Sequence, residues 1–368
     1  MRMSTSTSTS TSTSWTLTPA TSLDAHAARW RQLHAASATS ALLELDFVLP
    51  LLAEFGDGSE LLACCEYDGA LVAMAILARG PRATWQTFQP AQAPIGIWLQ
   101  QPGFELATLL AELRRSLPGA ALVLGLTQCD PCMAPRPADA AALRTIDYID
   151  TARITVTGSF DAYWNGRGKN LRSNLKKQRA KLLRDGVATR LQVSRDARDM
   201  AAAVADYGRL ESAGWKAEGG TAIEPGNSQG RYYRAMLEAF CRRDAGCVYR
   251  YWFGEQLVAM DFCIEGAGCI VVLKTTYDET VPNSLSPALL MREEACRQLF
   301  DEGRFERIEF FGKVMAWHLR WTDEVRTLYH VNSYRWPALL RLHSLAARGA
   351  AWRHRHHGHD HVINHVAE

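Results

Sequence analysis

The alternation of apolar and polar positions predicts two β-hairpins, one in each half of the chain. Residues 64–80 read CCEYDGALVAMAILARG and residues 249–266 read YRYWFGEQLVAMDFCIEG. Each stretch has an apolar run, a two-residue turn (Asp68-Gly69, then Gly254-Glu255) and a second run that contains LVAM. Turns of this composition between β-rich runs are typical of hairpins. We therefore expect two antiparallel hairpins built on one plan.

Similar elements surround both hairpins in the same order. Small and apolar residues at helical spacing predict a helix before each hairpin, in residues 21–36 and 196–214. After each hairpin the pattern predicts more strand, then a helix, then a closing strand. The helices are ELATLLAELRRSL and SPALLMREEACRQLFDEG, and the closing strands are AALVLGL and RIEFFG. The shared order indicates two copies of one α/β unit, at residues 17–150 and 151–335.

A basic helix begins the second unit, in the stretch NLRSNLKKQRAKLLRDG at residues 170–186. Leucines form a narrow apolar stripe on one side. The other face carries Arg172, Lys176, Lys177, Arg179, Lys181 and Arg184. Three interpretations stay open: the cations contact ligand phosphate or an acidic glycan, face water, or bind nucleic acid. The helix has no aromatic residue for base stacking, which argues against nucleic acid.

Composition limits the remaining possibilities. The 368 residues are 47% hydrophobic with a formal net charge of +2, which suits two globular units and gives no overall field for DNA or membrane. No apolar run reaches the roughly 18 residues that a membrane span requires. Residues 1–16 form a Ser/Thr-rich leader that we expect to be disordered, and the default location is the cytoplasm.

Cysteine and histidine patterns do not predict a metal site. The nine cysteines are scattered, and most sit in apolar runs, which is typical of core thiols in a reducing compartment. Cys129 and Cys132 form a C-x-x-C pair, but a zinc site would need a second pair at ligand spacing. Residues 336–368 contain a short helix pattern and a histidine-rich tail, which can bind zinc or nickel but lacks a thiol or carboxylate framework.

The segment 271–300 carries the most informative chemistry. A strand ends at Tyr277, a polar loop follows, and a helix begins with Ser286 at the N-cap and a proline at its first position. Small Ala288 and the backbone N–H groups of Leu289 and Leu290 would leave an open, positive helix end. Such an end binds phosphate or diphosphate well, although an ordinary capped helix has the same pattern.

The second half resembles the GNAT superfamily of acyl-CoA-dependent N-acyltransferases. It is most similar to the branch of CelD-like proteins of bacterial cellulose and polysaccharide synthesis. The likeness rests on NLRSNLKKQRAKL, GWKAEGGTAI, LKTTYDE, SPALL and HLRW, and covers residues 160–330. The branch usually has glycine after Ser-Pro where this chain has Ala288, and the Q/R-x-x-G-x-G/A signature of acetyl-CoA users is absent. The resemblance implies an α/β fold with a mixed sheet, as two tandem GNAT-like units of which the first is degenerate.

Candidate site residues follow from that resemblance. Asp261 and Glu309 are candidate bases, and Tyr277 is the candidate acid; a strand edge facing solvent is the alternative for the two carboxylates. Lys274, Ser286, Ala288, Leu289 and Leu290 are candidate ligands for the donor, acetyl-CoA or another acyl-CoA. Trp215 and Lys216 in a glycine-rich loop, with Lys176 and Arg179 on the basic helix, are candidate acceptor contacts.

Three functions remain open on the sequence alone. The first is an acyl-CoA-dependent N- or O-acyltransferase that acts on a sugar or a cell-envelope polysaccharide precursor, in contact with the synthesis machinery. The second is a transferase that uses aminoacyl-tRNA, because the related FemAB enzymes share the tandem architecture. The third is a catalytically inactive GNAT unit that assists a polysaccharide synthase.

Overall fold

Both predicted hairpins are present in the computed structural model, which describes residues 13–37, 40–212, 223–282 and 284–343. The first consists of β2 (Leu61–Tyr67) and β3 (Ala70–Arg79), the second of β9 (Gly246–Phe253) and β10 (Gln256–Gly266). Asp68 and Gly69 have φ angles of 50° and 77°. Tight hairpin turns require positive φ there, and Asp-Gly supplies it at low cost.

The other elements that the sequence predicts occur in the predicted order. The strands are β1 (Thr13–Pro19), β4 (Thr84–Thr87), β5 (Trp98–Gln100), β6 (Val123–Cys129), β7 (Leu143–Thr155), β8 (Thr189–Ser194), β11 (Cys269–Tyr277), β12 (Arg307–Phe310) and β13 (Val325–Tyr334). The helices are α1 (Ala27–Ala36), α2 (Leu45–Phe55), α3 (Leu106–Ser116), α4 (Phe160–Asn165), α5 (Lys169–Arg184), α6 (Met200–Ser212), α7 (Ser228–Cys241), α8 (Pro287–Glu302) and α9 (His318–Trp321). The apolar pattern did not predict the strands β1, β8 and β13 or the helices α2, α4, α7 and α9. In α2 a nearly continuous apolar run hides the helical period.

The strands form one mixed sheet in the order β1-β2-β3-β4-β6-β13-β7-β12-β11-β10-β9-β8, with β5 pairing β3. The two halves of this order match: β4 and β6 run parallel in the first unit, as β11 and β12 do in the second. The last strands are exchanged, because β13 pairs β6 of the first unit and β7 pairs β12 of the second. The two units therefore share one hydrogen-bonded sheet.

Two of the predicted domain boundaries fall inside strands. The division between residues 150 and 151 falls inside β7, which belongs to the exchanged pair. The leader predicted to be disordered over residues 1–16 was wrong from Thr13 onward, because β1 pairs β2 there. Trp15 and Leu17 pack on the core of the first unit, which gives this Ser/Thr-rich segment apolar surface to bury.

Helices cover both faces of the sheet. α1 and α2 of the first unit share a core with α6 and α7 of the second, and this core includes Met260 and Phe262 of β10. Ala259 and Cys263, their neighbours on β10, enter the core beneath α5 and α8 on the opposite face. Alternate strand residues point to opposite faces, so the sheet separates the two cores. No helix in the described part of the chain is long and apolar enough to cross a bilayer.

The first unit is closed where the second is open. Beyond the β4–β6 pairing, Gly96 N–H donates to the Thr127 carbonyl at 3.0 Å, and the hydroxyls of Thr87 and Thr127 lie 2.6 Å apart. A Cβ on Gly96 would lie 2.3 Å from Thr87 Oγ1, so no side chain fits. The cavity beside these residues measures about 30 Å³, which is roughly the volume of one water molecule. These contacts close the part of the first unit that corresponds to the opening in the second.

Arg179 joins α5 to α8. Its guanidinium donates to Glu293 at 2.9 Å and to Glu294 at 2.6 Å, and it lies within 3.5 Å of the Tyr251 hydroxyl. Lys176 and Lys177 are exposed on the outer face of the same helix. Arg179 is therefore a structural arginine, whereas Lys176 and Lys177 face solvent.

Replacing Arg179 with alanine should lower the free energy of unfolding by about 1–3 kcal/mol, because two partly buried carboxylates lose a charged donor. Lys177→Ala, an exposed change on the same helix, should have an effect of about 0.5 kcal/mol or less. Urea denaturation of both variants measures the difference. Equal stabilities for the two variants would contradict a structural role for Arg179.

Candidate functional site

Strands β11 and β12 part in the second unit. Their parallel pairing runs from Cys269 and Arg307 to Val272 and Phe310 and ends there. β11 nevertheless continues to Tyr277, held on its other side by β10. The last residues of β11 thus present a main-chain edge on the side where β12 has left. An extended molecule can pair with such an edge.

A cleft of about 860 Å³ opens at this edge. Its walls are the end of β11, the loop that follows, the first turns of α8 and one tryptophan. The lining residues are Thr275, Tyr277, Asp278, Glu279, Val281, Leu285, Ser286, Pro287, Ala288, Leu289, Arg292 and Trp317. We call this the β11–α8 cleft. Its size is within the usual range for small-molecule sites.

The tip of α8 differs from the expected open helix end. Ser286 occupies the N-cap position and Pro287 follows, as predicted, but the serine makes no capping hydrogen bond. Instead Gln178 of α5 donates to its hydroxyl at 3.3 Å and accepts its N–H at 2.9 Å. The expectation of free N–H groups at Leu289 and Leu290 was wrong, because both donate to the Ser286 carbonyl at 3.0 Å. The helix end therefore offers few amides for an anion.

A buried ion pair lies behind the cleft. Arg292 of α8 is 2.7 Å from Asp261 of β10, and their side chains are 4% and 0% exposed. Thr275 of β11 donates to Asp261 at 2.6 Å and accepts from Arg292 at 3.2 Å. The Arg292 guanidinium also lies 5.2 Å from the ring centre of Phe310. One arginine therefore connects α8 with β10, β11 and β12 at the point where the strands part.

Asp261 is placed to orient Arg292. The alternative of a strand edge facing solvent was wrong, because burial is complete and it raises the pKa of the carboxyl. Arg292 and Thr275 line the cleft, and they stand between it and Asp261. This geometry does not fit a base that meets an acceptor directly.

His318 lies next to the same group of residues. Its ring stacks on Trp317 with centres 3.5 Å apart and meets the edge of Phe310 at 5.4 Å. Met315 N–H donates to its Nδ1 at 3.0 Å, so the neutral ring carries its proton on Nε2. Burial, together with the charge of Arg292, lowers the pKa of His318 to about 4. The imidazole is neutral at physiological pH.

The other predicted residues divide between the two faces of the sheet. Tyr277 is 47% exposed at the rim of the cleft, and its role as the acid stays a prediction. Lys274 points away from α8: its Nζ lies 3.7 Å from Glu211 of α6 and 5.7 Å from the ring centre of Tyr233 of α7. Lys274 therefore lies on the opposite side of β11 from the cleft.

Glu309 is also outside the cleft. It lines a separate cavity of about 290 Å³ between the units, on the sheet face opposite α8. There it contacts Arg326 at 2.8 Å and Arg307 at 3.5 Å, and Arg326 in turn binds Asp130 at 2.7 Å. Burial raises the pKa of Glu309. The expected solvent-facing alternative was wrong for Glu309 too, and the structure does not bring it together with Asp261.

Four further candidates have distinct placements. Ala288 lines the cleft, whereas the Leu290 side chain is fully buried in the core. Arg179 is held by α8, and Lys176 is exposed on the outer face of α5. Trp215 and Lys216 lie outside the described residues, and their roles stay predictions.

Arg292 and His318 were missed by the sequence analysis. A signal for Arg292 was present, because it interrupts the apolar stripe of α8 between Met291 and Ala295 while Asp261 interrupts an apolar strand. Two opposite charges in two buried elements indicate a buried pair, since an isolated charge would be costly there. His318 gave no comparable signal, because its burial depends on residues distant in sequence.

Comparisons with known proteins agree with this geometry. Residues 169–319 match the family model described as an acetyltransferase (GNAT) domain. This part of the chain, which includes the parted strands and the cleft, is therefore similar to GNAT acetyltransferase domains. The comparison with curated proteins gives no match.

Solved structures show the same fold at low sequence identity. FemX is 8% identical with a TM-score of 0.55, covering 86% of this chain and 98% of its own. The C-terminal domain of a protein assigned as a lysylphosphatidylglycerol synthetase from Agrobacterium fabrum is 13% identical with a TM-score of 0.53, covering 84% and 92%. A conserved protein of unknown function from Bacteroides thetaiotaomicron is 9% identical with a TM-score of 0.54, covering 84% and 97%.

Breaking the buried pair should be costly. Asp261→Ala leaves Arg292 buried without its counter-ion, so the free energy of unfolding should fall by about 3–5 kcal/mol. The double variant Asp261→Ala/Arg292→Met should recover a large part of the loss, because it removes the unpaired charge and keeps an apolar stem. Urea denaturation of both variants measures this. A double variant less stable than the single one would contradict the pairing.

His318 should make stability depend on pH. Its pKa is about 4 in the folded protein against an ordinary 6.5, so below pH 6.5 the unfolded chain takes up a proton that the folded chain refuses. This contribution to stability is present above pH 6.5 and is lost as the pH falls toward 4. His318→Gln should flatten the decline, measured by urea denaturation across this range. Parallel curves for the two proteins would contradict the buried neutral imidazole.

Proposed function

We propose that the second unit is an acyltransferase that moves an acyl group from acyl-CoA to an amine or hydroxyl of a sugar or cell-envelope precursor. The observation that carries the proposal is the parting of β11 and β12 beside the tip of α8, inside the region matched by the GNAT domain model. The acceptor class rests on the resemblance of residues 160–330 to CelD-like proteins. FemX and a lysylphosphatidylglycerol synthetase domain share the fold, and neither name indicates a sugar acceptor.

The cleft fits the acyl arm of such a donor. Leu285, Leu289 and Trp317 supply apolar walls to the cleft. The edge of β11 beyond Val272 supplies main-chain N–H and C=O groups that can pair with the amides of an extended arm. Ala288 keeps the first turn of α8 small enough for close approach. A pantetheine arm needs this combination of amide partners and apolar walls.

Residues at the cleft suit acyl transfer. The donor supplies a thioester carbonyl that an amine or hydroxyl can attack. Arg292 lines the cleft, and its oriented N–H groups can donate to a carbonyl oxygen on which negative charge develops, while Asp261 holds the guanidinium in place. The Tyr277 hydroxyl, at the rim, is the proton donor that we favour for the leaving group.

The acceptor would approach the other face of β11. Lys274 and Glu211 lie there, and Glu211 also accepts the Ile223 N–H at 2.8 Å. Ile223 directly follows the glycine-rich loop that contains Trp215 and Lys216. The residues on either side of that segment, Glu211 and Ile223, are thus joined by a hydrogen bond beside β11, and this supports the proposal that the segment contacts the acceptor. We therefore keep Trp215 and Lys216 as acceptor contacts.

One observation favours the aminoacyl-tRNA alternative. Lys176, Lys177 and Arg184 are exposed on the outer face of α5, where phosphate contacts could form. Neutralising all three should abolish retardation of charged tRNA if that donor is used. Retardation that persists in this variant would count against tRNA binding through α5.

Calorimetric titration with acetyl-CoA and longer acyl-CoAs tests the principal proposal. We expect binding to the folded protein, and Ala288→Trp should weaken it by about tenfold or more, or about 1.4 kcal/mol, because the indole fills the cleft. Ala180→Trp, at an exposed position on α5, is the matched control and should leave affinity unchanged. The absence of binding across the whole acyl series would overturn the assignment.

A further inference from the structure

A second cavity lies on the other side of the tip of α8. It measures about 580 Å³ and is formed by the link between α4 and α5, the first turns of α5, and α9. Ser286 and Leu289 line both this cavity and the β11–α8 cleft. The polar side chains around it include Arg167, Asn170, Asn174 and Arg320. We call it the basic cavity.

The two spaces have opposite charge. The β11–α8 cleft is lined by Asp278 and Glu279 and by a single cation, Arg292, which is already neutralised by Asp261. The basic cavity is lined by two arginines and one carboxylate, Asp323. A phosphate group in the cleft would lie beside the carboxylates of Asp278 and Glu279, whereas one in the basic cavity would meet a net positive charge.

The Arg167 guanidinium is held in place by its neighbours. Its guanidinium donates to the Trp321 carbonyl at 2.9 Å and lies 5.2 Å from the ring centre of Tyr163. Asp323, 89% exposed, is 3.5 Å away. The Arg167 Nε is buried and has no hydrogen-bond partner among the described residues. The rest of the Arg167 side chain is 18% exposed and lines the cavity, so the terminal guanidinium nitrogens are the donors that an anion there would meet.

Arg320 provides the second charge. It is exposed on α9 and forms no ion pair with any other residue that the structure describes. Asn170 and Asn174, one helical turn apart on α5, are exposed at the opposite wall and add amide donors. Arginine and amide donors that converge on one space are the usual ligands of phosphate oxygens.

We propose that the basic cavity binds the phosphate groups of the donor through Arg167 and Arg320, while the acyl arm lies in the β11–α8 cleft. The inference rests on the proposed acyl-CoA function and extends it. Because the amides of Leu289 and Leu290 are already bonded to Ser286, the tip of α8 cannot supply most of the phosphate contacts. Side chains of α9 and of the α4–α5 link take their place.

The test compares CoA with S-acetylpantetheine, which has no phosphate, by calorimetry. Arg320→Ala should weaken CoA binding by about tenfold or more and leave S-acetylpantetheine unaffected, because only CoA carries the phosphates. Arg115→Ala, an exposed arginine on α3 of the first unit, is the matched control and should change neither. The CoA affinity of the unaltered protein should also fall with salt more steeply than that of Arg320→Ala.

Asp323→Asn gives a result of the opposite sign. Removing this exposed carboxylate should tighten CoA binding several-fold and leave S-acetylpantetheine unchanged, because Arg167 then faces the phosphate alone. A general loss of structure could not produce tighter binding. CoA binding that is unchanged in both Arg320→Ala and Asp323→Asn would overturn the inference.

These outcomes separate the inference from the proposed function. If the unaltered protein binds CoA and S-acetylpantetheine equally well, the phosphate site is wrong and the acyltransferase proposal stands. If it binds neither, the proposed function itself fails. Retardation of aminoacyl-tRNA that is lost in Arg320→Ala, without any CoA binding, would overturn the assignment of the cavity to a CoA donor.

Discussion

The buried pair between Asp261 and Arg292 determines where the second unit opens. Arg292 reaches from α8 to β10, shares Thr275 of β11 and lies against Phe310 of β12. A charge in this position costs much free energy unless it is paired, so α8 cannot shift relative to β10 without losing that compensation. The helix is thus fixed at the point where β11 and β12 part, and the cleft is fixed with it.

The two units show what the parting of strands requires. In the first unit Gly96 and Thr87 form hydrogen bonds with Thr127, and these residues occupy the space beyond the β4–β6 pairing. In the second unit the corresponding space is left to solvent and a helix tip. Exchange of β7 and β13 joins both units in one sheet, so the closed unit can support the open one.

The local structure could be predicted from the sequence, and much of the site could not. Hairpins, the basic helix and the helix after Ser286 follow from turn residues and apolar spacing within short windows. The exchange of β7 and β13 could not be predicted, because pairing between distant strands leaves no local pattern. The same limit applies to Glu309: the strand RIEFFG predicts alternation, but which side faces the cleft depends on helices elsewhere in the chain.

The polar side chains of α5 and of the link before it make different contacts. Arg179 donates to Glu293 of α8, and Gln178 donates to the Ser286 hydroxyl that would otherwise cap the helix. With its capping serine turned toward α5 and its first amides bonded internally, α8 has little electrostatic attraction left for an anion. Any phosphate recognition near this helix must therefore come from side chains, and Arg167, just before α5, is one that is held in position. The basic helix α5 thus supports the cleft, and Arg167 lies in the link that precedes it.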